Sequence, residues 1–282
     1  MKLLEDSVTW GDNKTSVVFK DTRLINAQTT KTIQAKAMVF CIAHRFGNLS
    51  DPEGVHTLYG LYDATNIRFS LDYGITDKLM AGFGKSKVKE NLDASVKYRI
   101  VEQSKKVPLS ATMYFNMAFT PMKDPFDVWP KNIHRISYTS QVILSRKFCS
   151  RFSFAVLPTI LHRNAVLNEI NESNGTQDEN TLFSLGFAGR VKITKSTSLV
   201  ADYFYTFSDY RRNNPATPYY APLGIGVEME TGGHVFNLYL TNAAGIIEND
   251  FIPDTNNSWS DLEIKLGFHI SRVFYLKKPK QV

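Results

Sequence analysis

Leu92-Asp93-Ala94-Ser95-Val96-Lys97-Tyr98-Arg99-Ile100 alternates without a fault. In an extended chain successive side chains point to opposite faces, so Leu92, Ala94, Val96, Tyr98 and Ile100 share one side. Asp93, Ser95, Lys97 and Arg99 share the other. The segment reads as a β-strand with one apolar and one polar face. The same period recurs in both directions. Upstream, Leu79 to Phe83 sets Gly82 and Gly84 against larger residues. Ile67, Phe69, Leu71 and Tyr73 oppose Arg68, Ser70, Asp72 and Gly74, and Met38, Phe40, Ile42 and Phe46 oppose Ala37, Val39, Cys41, Ala43 and Arg45.

Downstream, Leu109 to Phe119 alternates, and Ile136, Tyr138, Val142 and Leu144 oppose Arg135, Ser137, Thr139 and Gln141. Phe152, Phe154, Val156 and Ile160 follow, interrupted by Pro158, where a missing ladder donor predicts a bulge or weak pairing. Phe183 to Val191 then opposes Ser184, Gly186, Ala188 and Arg190, and Leu199 to Phe207 opposes Asp202 and Thr206. Leu223 to Met229 opposes Gly224, Gly226, Glu228 and Glu230. Phe236, Leu238 and Leu240 precede a last run, Leu262 to Ile270, set against Glu263, Lys265, Gly267 and His269.

A soluble sandwich also alternates, so the connections carry the decision. Tight turns at 76–78, 146–150, 194–197 and 231–233 take turns with long links at 47–65, 120–132, 164–181, 208–221 and 243–260, the link 85–91 being a shorter member of the long set. Short turns on one rim and long loops on the other mark an outer-membrane barrel, and an even count of runs closes it with both termini in the periplasm. Gly, Ser and Ala on the polar face leave room for the long Arg, Lys and Glu side chains beside them, as a lumen requires. The opposite face is nearly unbroken Leu, Ile, Val, Phe and Met. Tyr73, Tyr98, Phe152, Tyr203 and Phe274 sit near run ends, where interfacial aromatics belong. The expectation is an all-β, transmembrane, antiparallel up-and-down barrel of about twelve strands.

Composition fits this reading and removes others. The 282 residues allow one large β domain. No stretch approaches the ~18 apolar residues of a transmembrane helix. The net charge of +6 is spread along the chain and argues against nucleic acid as a partner. Met1-Lys2-Leu3-Leu4 runs straight into Glu5 and Asp6 without an apolar core, so a processed form without its signal peptide is expected. Cys41 and Cys149 are too few for a disulfide framework and too far apart in register to bridge. The chain divides into an N-terminal periplasmic or plug segment, 1–31, a barrel, 32–275, and a solvated tail, 276–282, carrying Lys277, Lys278 and Lys280.

Five stretches carry a family resemblance: Phe19-Lys20-Asp21-Thr22-Arg23-Leu24-Ile25-Asn26, Ala43-His44-Arg45-Phe46-Gly47, Leu71-Asp72-Tyr73-Gly74-Ile75-Thr76-Asp77, His234-Val235-Phe236-Asn237-Leu238 and Gly267-Phe268-His269-Ile270-Ser271-Arg272-Val273-Phe274. Together they resemble a Bacteroidota family of outer-membrane β-barrel proteins of unknown function, from about Val17 to Phe274. The resemblance implies a barrel in the outer membrane and no assigned chemistry. Many barrels stop at a terminal aromatic. Here Tyr275 to Val282 follow, so an assembly signal would end internally at Phe274.

No pair of histidines has metal-site spacing, and His44 is expected in a structural, hydrogen-bonding role. His134 and Ser137 fall on opposite faces of a strand, which argues against a lipase-like catalytic group. Gly82-Phe83-Gly84 and Gly224-Ile225-Gly226 lack a following helix and read as steric relief in the lumen. Glu248, Asp250 and Asp254 read as solvated surface rather than a calcium loop. No cofactor is expected. The polar face assigns to the lumen Arg45, Arg68, Lys97, Arg99, Arg135, Arg190 and Lys265 with Asp72, Asp202, Glu228, Glu230 and Glu263, and Asp93 adds a further negative charge to that face. These charges form either a paired network that stiffens the barrel or a pore lining that selects solutes. Three functions stay open: a narrow channel or small-solute transporter, a non-conducting scaffold or accessory subunit with envelope partners, and a soluble β-barrel carrier. The alternation from Val17 to Asp21 is too regular for a linker. Phe19 and Arg23 are therefore placed in a plug, Arg23 pairing with a lumen carboxylate such as Asp72 or Glu228.

Overall fold

A computed structural model describes residues 10–11, 14–15, 18–124 and 126–276. Most of the segment before Val18, and the tail lysines Lys277, Lys278 and Lys280, lie outside the described residues. A short backbone pairing sets Trp10 opposite Thr15. The barrel strands are β1 (Ala37–Asn48), β2 (Ala64–Gly74), β3 (Leu79–Ser86), β4 (Leu92–Val101), β5 (Ser110–Phe119), β6 (Ile136–Lys147), β7 (Phe152–Arg163), β8 (Thr181–Lys192), β9 (Thr197–Phe207), β10 (Leu223–Thr231), β11 (His234–Thr241) and β12 (Lys265–Tyr275). Each pairs antiparallel with its chain neighbours, and β12 pairs with β1, Phe274 opposite Met38, to close the barrel. Closure leaves no free edge, which is what a sheet in hydrocarbon requires. No helix of the described residues is long and apolar enough to cross a membrane, so the crossing is made by strands.

The alternation read in the sequence fixes which side faces in. In β4, Asp93 and Lys97 are buried while Val96, Tyr98 and Ile100 are exposed. The same rule exposes Phe69, Leu71, Phe83, Met113, Phe115, Phe183, Leu199 and Leu238 around the outside. Such a continuous apolar surface would drive aggregation in water and matches lipid instead. Short turns occupy one rim, at 75–78, 148–151, 193–196 and 232–233, with a longer one at 102–109. Loops at 49–63, 87–91, 120–135, 164–180, 208–222 and 242–264 occupy the other.

Small lumen residues do make room for large ones. A Cβ on Gly84 would stand 2.2 Å from Arg68 Nη2, and one on Gly224 would stand 2.6 Å from Ile25 Cγ2. Pro158 produces no bulge. The β6–β7 ladder lapses beside it and resumes with Leu144 opposite Val156 in unchanged register.

Three local expectations need correction. Arg135 ends a 3-10 turn, Asn132–Arg135, outside β6, because its guanidinium donates to the loop carbonyls of Thr120 (3.1 Å) and Met122 (2.7 Å). Glu263 also lies outside its strand. Leu262 takes a left-handed backbone (φ 58°), β12 starts only at Lys265, and Glu263 accepts the Ser258 N–H at 2.8 Å. His44 faces outward, stacks on Phe268 with ring centroids 5.5 Å apart and meets the tilted Phe46 ring at 4.3 Å, and its Nδ1 has no hydrogen-bond partner.

Candidate functional site: an occupied lumen

Two pieces of chain enter the barrel. The first is the segment from Val18 to about Gln34, whose only backbone bridge outside the named strands joins Arg23 to Gln28 within itself. The second is loop 242–264, which carries a short helix, α1 (Glu248–Phe251), with all four residues buried.

The first segment is held by lumen side chains. On β9, the Asp202 carboxylate accepts the backbone N–H groups of Ile25 (3.1 Å), Asn26 (2.7 Å) and Ala27 (2.9 Å), and the Asn26 side chain donates to its other oxygen at 2.8 Å. An ionised carboxylate is the strong acceptor that four converging donors need. On β4, the buried Lys97 ammonium donates to Thr22 O (2.9 Å), Gln28 Oε1 (3.0 Å) and Thr29 O (3.3 Å). On β10, Glu230 pairs with Lys20 at 2.8 Å, and on β12 Ser271 donates to Asp21 at 2.6 Å.

Two arginines tie this segment to loop 242–264. Arg45, fully buried on β1, donates to Asn26 Oδ1 at 2.7 Å, to Ala243 O at 2.9 Å and to Gly245 O. Arg23 donates to Ile246 O and reaches Glu248 at 3.4 Å. Arg23 therefore pairs with the loop carboxylate, not with Asp72 or Glu228. Glu248 and Asp250 are buried rather than solvated, because α1 folds down into the barrel. Among the described residues no group of His, Cys, Asp and Glu could hold a metal ion.

The remaining charges sort by height. Arg68 pairs with Asp93 at 2.6 Å, and Arg190 with Glu228 at 2.7 Å, within the barrel wall. Asp72 lines a cavity of about 40 Å³ beside the segment, together with Asp21, Arg23, Arg68, Lys97 and His269. Arg99 sits at the short-turn rim, donating to Asp77 O at 2.9 Å and reaching Glu102 at 3.4 Å. Lys265 sits near the long-loop rim, bonded to Asn48 and, at 2.6 Å, to Asn257. Cys41 and Cys149 are both free.

On the opposite side of the lumen an apolar cluster lies among buried polar residues such as Gln141, Ser145, Ser184 and Arg190. Ile143, Leu157, Leu161, Leu182, Val200 and Phe204 point inward from β6 to β9 and pack against Phe19, Leu24 and Ile25 of the segment and Phe251 and Ile252 of the loop. Phe204 meets Phe251 edge-on at 5.0 Å.

The sequence profile of a family described as a membrane bound beta barrel domain (DUF5777) matches residues 19–274. The chain belongs to that family. The matched region begins inside the lumen segment and ends at Phe274, so it covers most of that segment as well as the barrel. The fold also resembles solved structures. The NanC porin aligns with a TM-score of 0.50 at 10% identity, over 85% of this chain and 100% of that one. An outer membrane channel from Pseudomonas putida F1 aligns at 0.51 and 12% identity, over 87% of this chain and 98% of that one. At such identities the likeness concerns the fold. No curated protein sequence matches the chain. The protein is an outer-membrane β-barrel.

Proposed function

We propose that this barrel is a narrow, plugged channel for small solutes, with the segment from Val18 to Gln34 as its plug and the charged lumen groups as its seat. The observation that carries this reading is the chemistry of the seal. The segment is anchored through side chains of the lumen, with Asp202, Lys97, Glu230 and Arg45 as the main contacts, and adds no strand to the sheet. Contacts of this kind exchange readily for water, whereas a thirteenth strand would not. About twelve strands enclose only a modest bore, and a cavity of about 40 Å³ already runs beside the plug. The lumen residues Arg68, Asp72, Lys97, Asp202 and Glu228 would then act on solutes once the plug shifts. Fold kinship to channels agrees with this but does not supply it.

The apolar packing of Phe19, Leu24 and Ile25 favours a second reading, a permanently closed scaffold that works through its loops and envelope partners. Planar-bilayer recording separates the two. The full chain should conduct little, and a chain lacking residues 1–28 should conduct steadily and melt at a lower temperature. A truncated chain that stays silent would support the scaffold. One that conducts and melts as the full chain does would reduce the segment to a tether.

A further inference from the structure

The mouth of the barrel on the long-loop side holds a cavity of about 360 Å³, within the size range of small-molecule sites. Its walls are largely apolar, with Met122, Val128, Trp129, Val166, Tyr210 and Tyr219 among the lining residues beside charged ones such as Asp178 and Arg211. A second, small cavity of about 40 Å³ adjoins it and shares Lys89, Trp129 and Arg163. Three polar atoms belonging to residues that line the small cavity are buried without a hydrogen-bond partner: Arg163 Nε, His134 Nδ1 and Asp250 Oδ2. Buried polar groups are normally satisfied, and three orphans around one cavity point to something that belongs in it.

The charges around that cavity decide what. Lys89, Arg135 and Arg163 line it with a single carboxylate, Asp250. Arg135 is already spent on two loop carbonyls and lies over the Trp129 ring at 5.4 Å. Lys89 pairs with Asp254, and Arg163 with Asp178 at 2.8 Å, but Arg163 Nε is free. Burial pushes the Asp250 carboxyl up to about 7, so near neutral pH its protonated, donating form is present beside the charged one. Arg163, His134 and Lys89 bring N–H donors and positive charge to the lining of the small cavity, while the adjoining cavity combines rings and aliphatic side chains with four carboxylates that already have partners: Asp124 with backbone N–H groups, Glu169 with the Tyr210 hydroxyl, Asp178 with Arg163 and Asp254 with Lys89.

We propose that the mouth is a binding site for organic carboxylates with an apolar, ring-sized body, the acid seated by Arg163, His134 and Lys89 and the body lying on Trp129 and Tyr210. The site names a solute class for the channel proposed above and rests on that reading for its purpose. Loop 242–264 supplies Asp250 to the small cavity and Asp254 to the large one, so an occupant would touch the same loop that Arg45 and Arg23 join to the plug.

Titration calorimetry on the full chain in detergent tests this, using benzoate against benzyl alcohol, which shares its ring and lacks its charge. Benzoate should bind at least tenfold more tightly. Arg163→Gln should remove that preference. Because Arg163 also holds Asp178, Lys89→Gln serves as a second variant and should weaken benzoate several-fold while leaving benzyl alcohol unchanged. Equal binding of the two ligands, or binding by neither, would overturn the proposal and leave ordered water as the content of the small cavity. Binding needs no conductance. Benzoate binding by a barrel that never conducts would sink the channel and keep the site, and the reverse result would do the opposite.

Discussion

The two sides of the lumen hold the segment from Val18 to Gln34 by different physics. From β1, β4, β10 and β12, polar side chains reach the segment one bond at a time: Arg45 to Asn26, Lys97 to Thr22, Gln28 and Thr29, Glu230 to Lys20 and Ser271 to Asp21. From β6 to β9, Ile143, Leu157, Leu161, Leu182 and Phe204 offer an apolar bed for Phe19, Leu24 and Ile25, broken by a few polar groups such as Ser145, whose hydroxyl lies 2.7 Å from that of Thr30. Asp202 stands within that bed as its one described carboxylate and collects three backbone amides. An apolar bed gives adhesion without direction. The polar contacts supply register, since each has one geometry in which it is satisfied. A plug held only by the first would slide, and one held only by the second would wash out.

The largest effect should come from Asp202→Ala. It leaves four neutral donors of the segment without their acceptor inside a buried site, a loss of about 1–3 kcal/mol for each donor left unpaired. Amide hydrogens of Ile25, Asn26 and Ala27 should then exchange far faster, and bilayer conductance should rise. Unchanged exchange would show that the apolar bed alone fixes the segment. Phe19→Ala attacks the bed instead. Phe19 is 1% exposed, and its truncation should loosen the plug by about 3 kcal/mol, the low end for a buried phenylalanine because water can enter a lumen. Its signature should differ: a lower melting temperature with the Asp202 amides still the slowest to exchange. Lys97→Met should do less, about 1–2 kcal/mol, because losing three bonds is offset by no longer burying an ammonium. A melting shift as large as that of Phe19→Ala would mean the polar side bears more of the hold than its geometry indicates.

The difference between the sides also explains what the sequence could say. Strand count, pairing order and the lipid face were legible because alternation and connection length are local signals, as in Leu92 to Ile100. The same alternation puts Arg45, Arg68, Lys97, Arg190, Asp202 and Glu228 on the inward face of their strands. The apolar bed was not legible. Leu157, Leu161 and Leu182 are inward leucines beside outward Val156, Ile160 and Phe183, so alternation marks the outer face of these runs but does not distinguish their inward leucines from lipid-facing ones. The partners of the plug were also hidden. Arg23 meets Glu248 across 225 residues of chain, and nothing local distinguishes that glutamate from a solvated loop residue. Glu263 and Arg135 were misplaced because a strand end is set by where its backbone leaves the ladder, at Leu262 in one case, which alternation does not record.

The smallest effect, and the one that tests whether the loop shares in the seal, is on pH. Asp250 in α1 is pushed up from 3.8 to about 7, first by burial and further by Asp254 and Asp93, against the pull of Lys89 and Arg68. Asn91 donates to its Oδ1 at 2.6 Å. A carboxyl with a raised value in the folded protein keeps a proton that the unfolded chain has released. Its contribution is therefore complete below about pH 4 and is lost as pH rises through about 7, with no further change above. The seat of loop 242–264 should be firmest in mild acid. If that loop helps to close the lumen through Arg45 and Arg23, conductance should be lower at pH 5 than at pH 8, and Asp250→Asn, a permanent copy of the protonated form, should remove the difference while keeping the low-pH value. A conductance that rises in acid in both proteins would place the pH-sensitive contact elsewhere in the lumen, with His269 and Asp21, 3.8 Å apart beside the plug, as the pair to examine next.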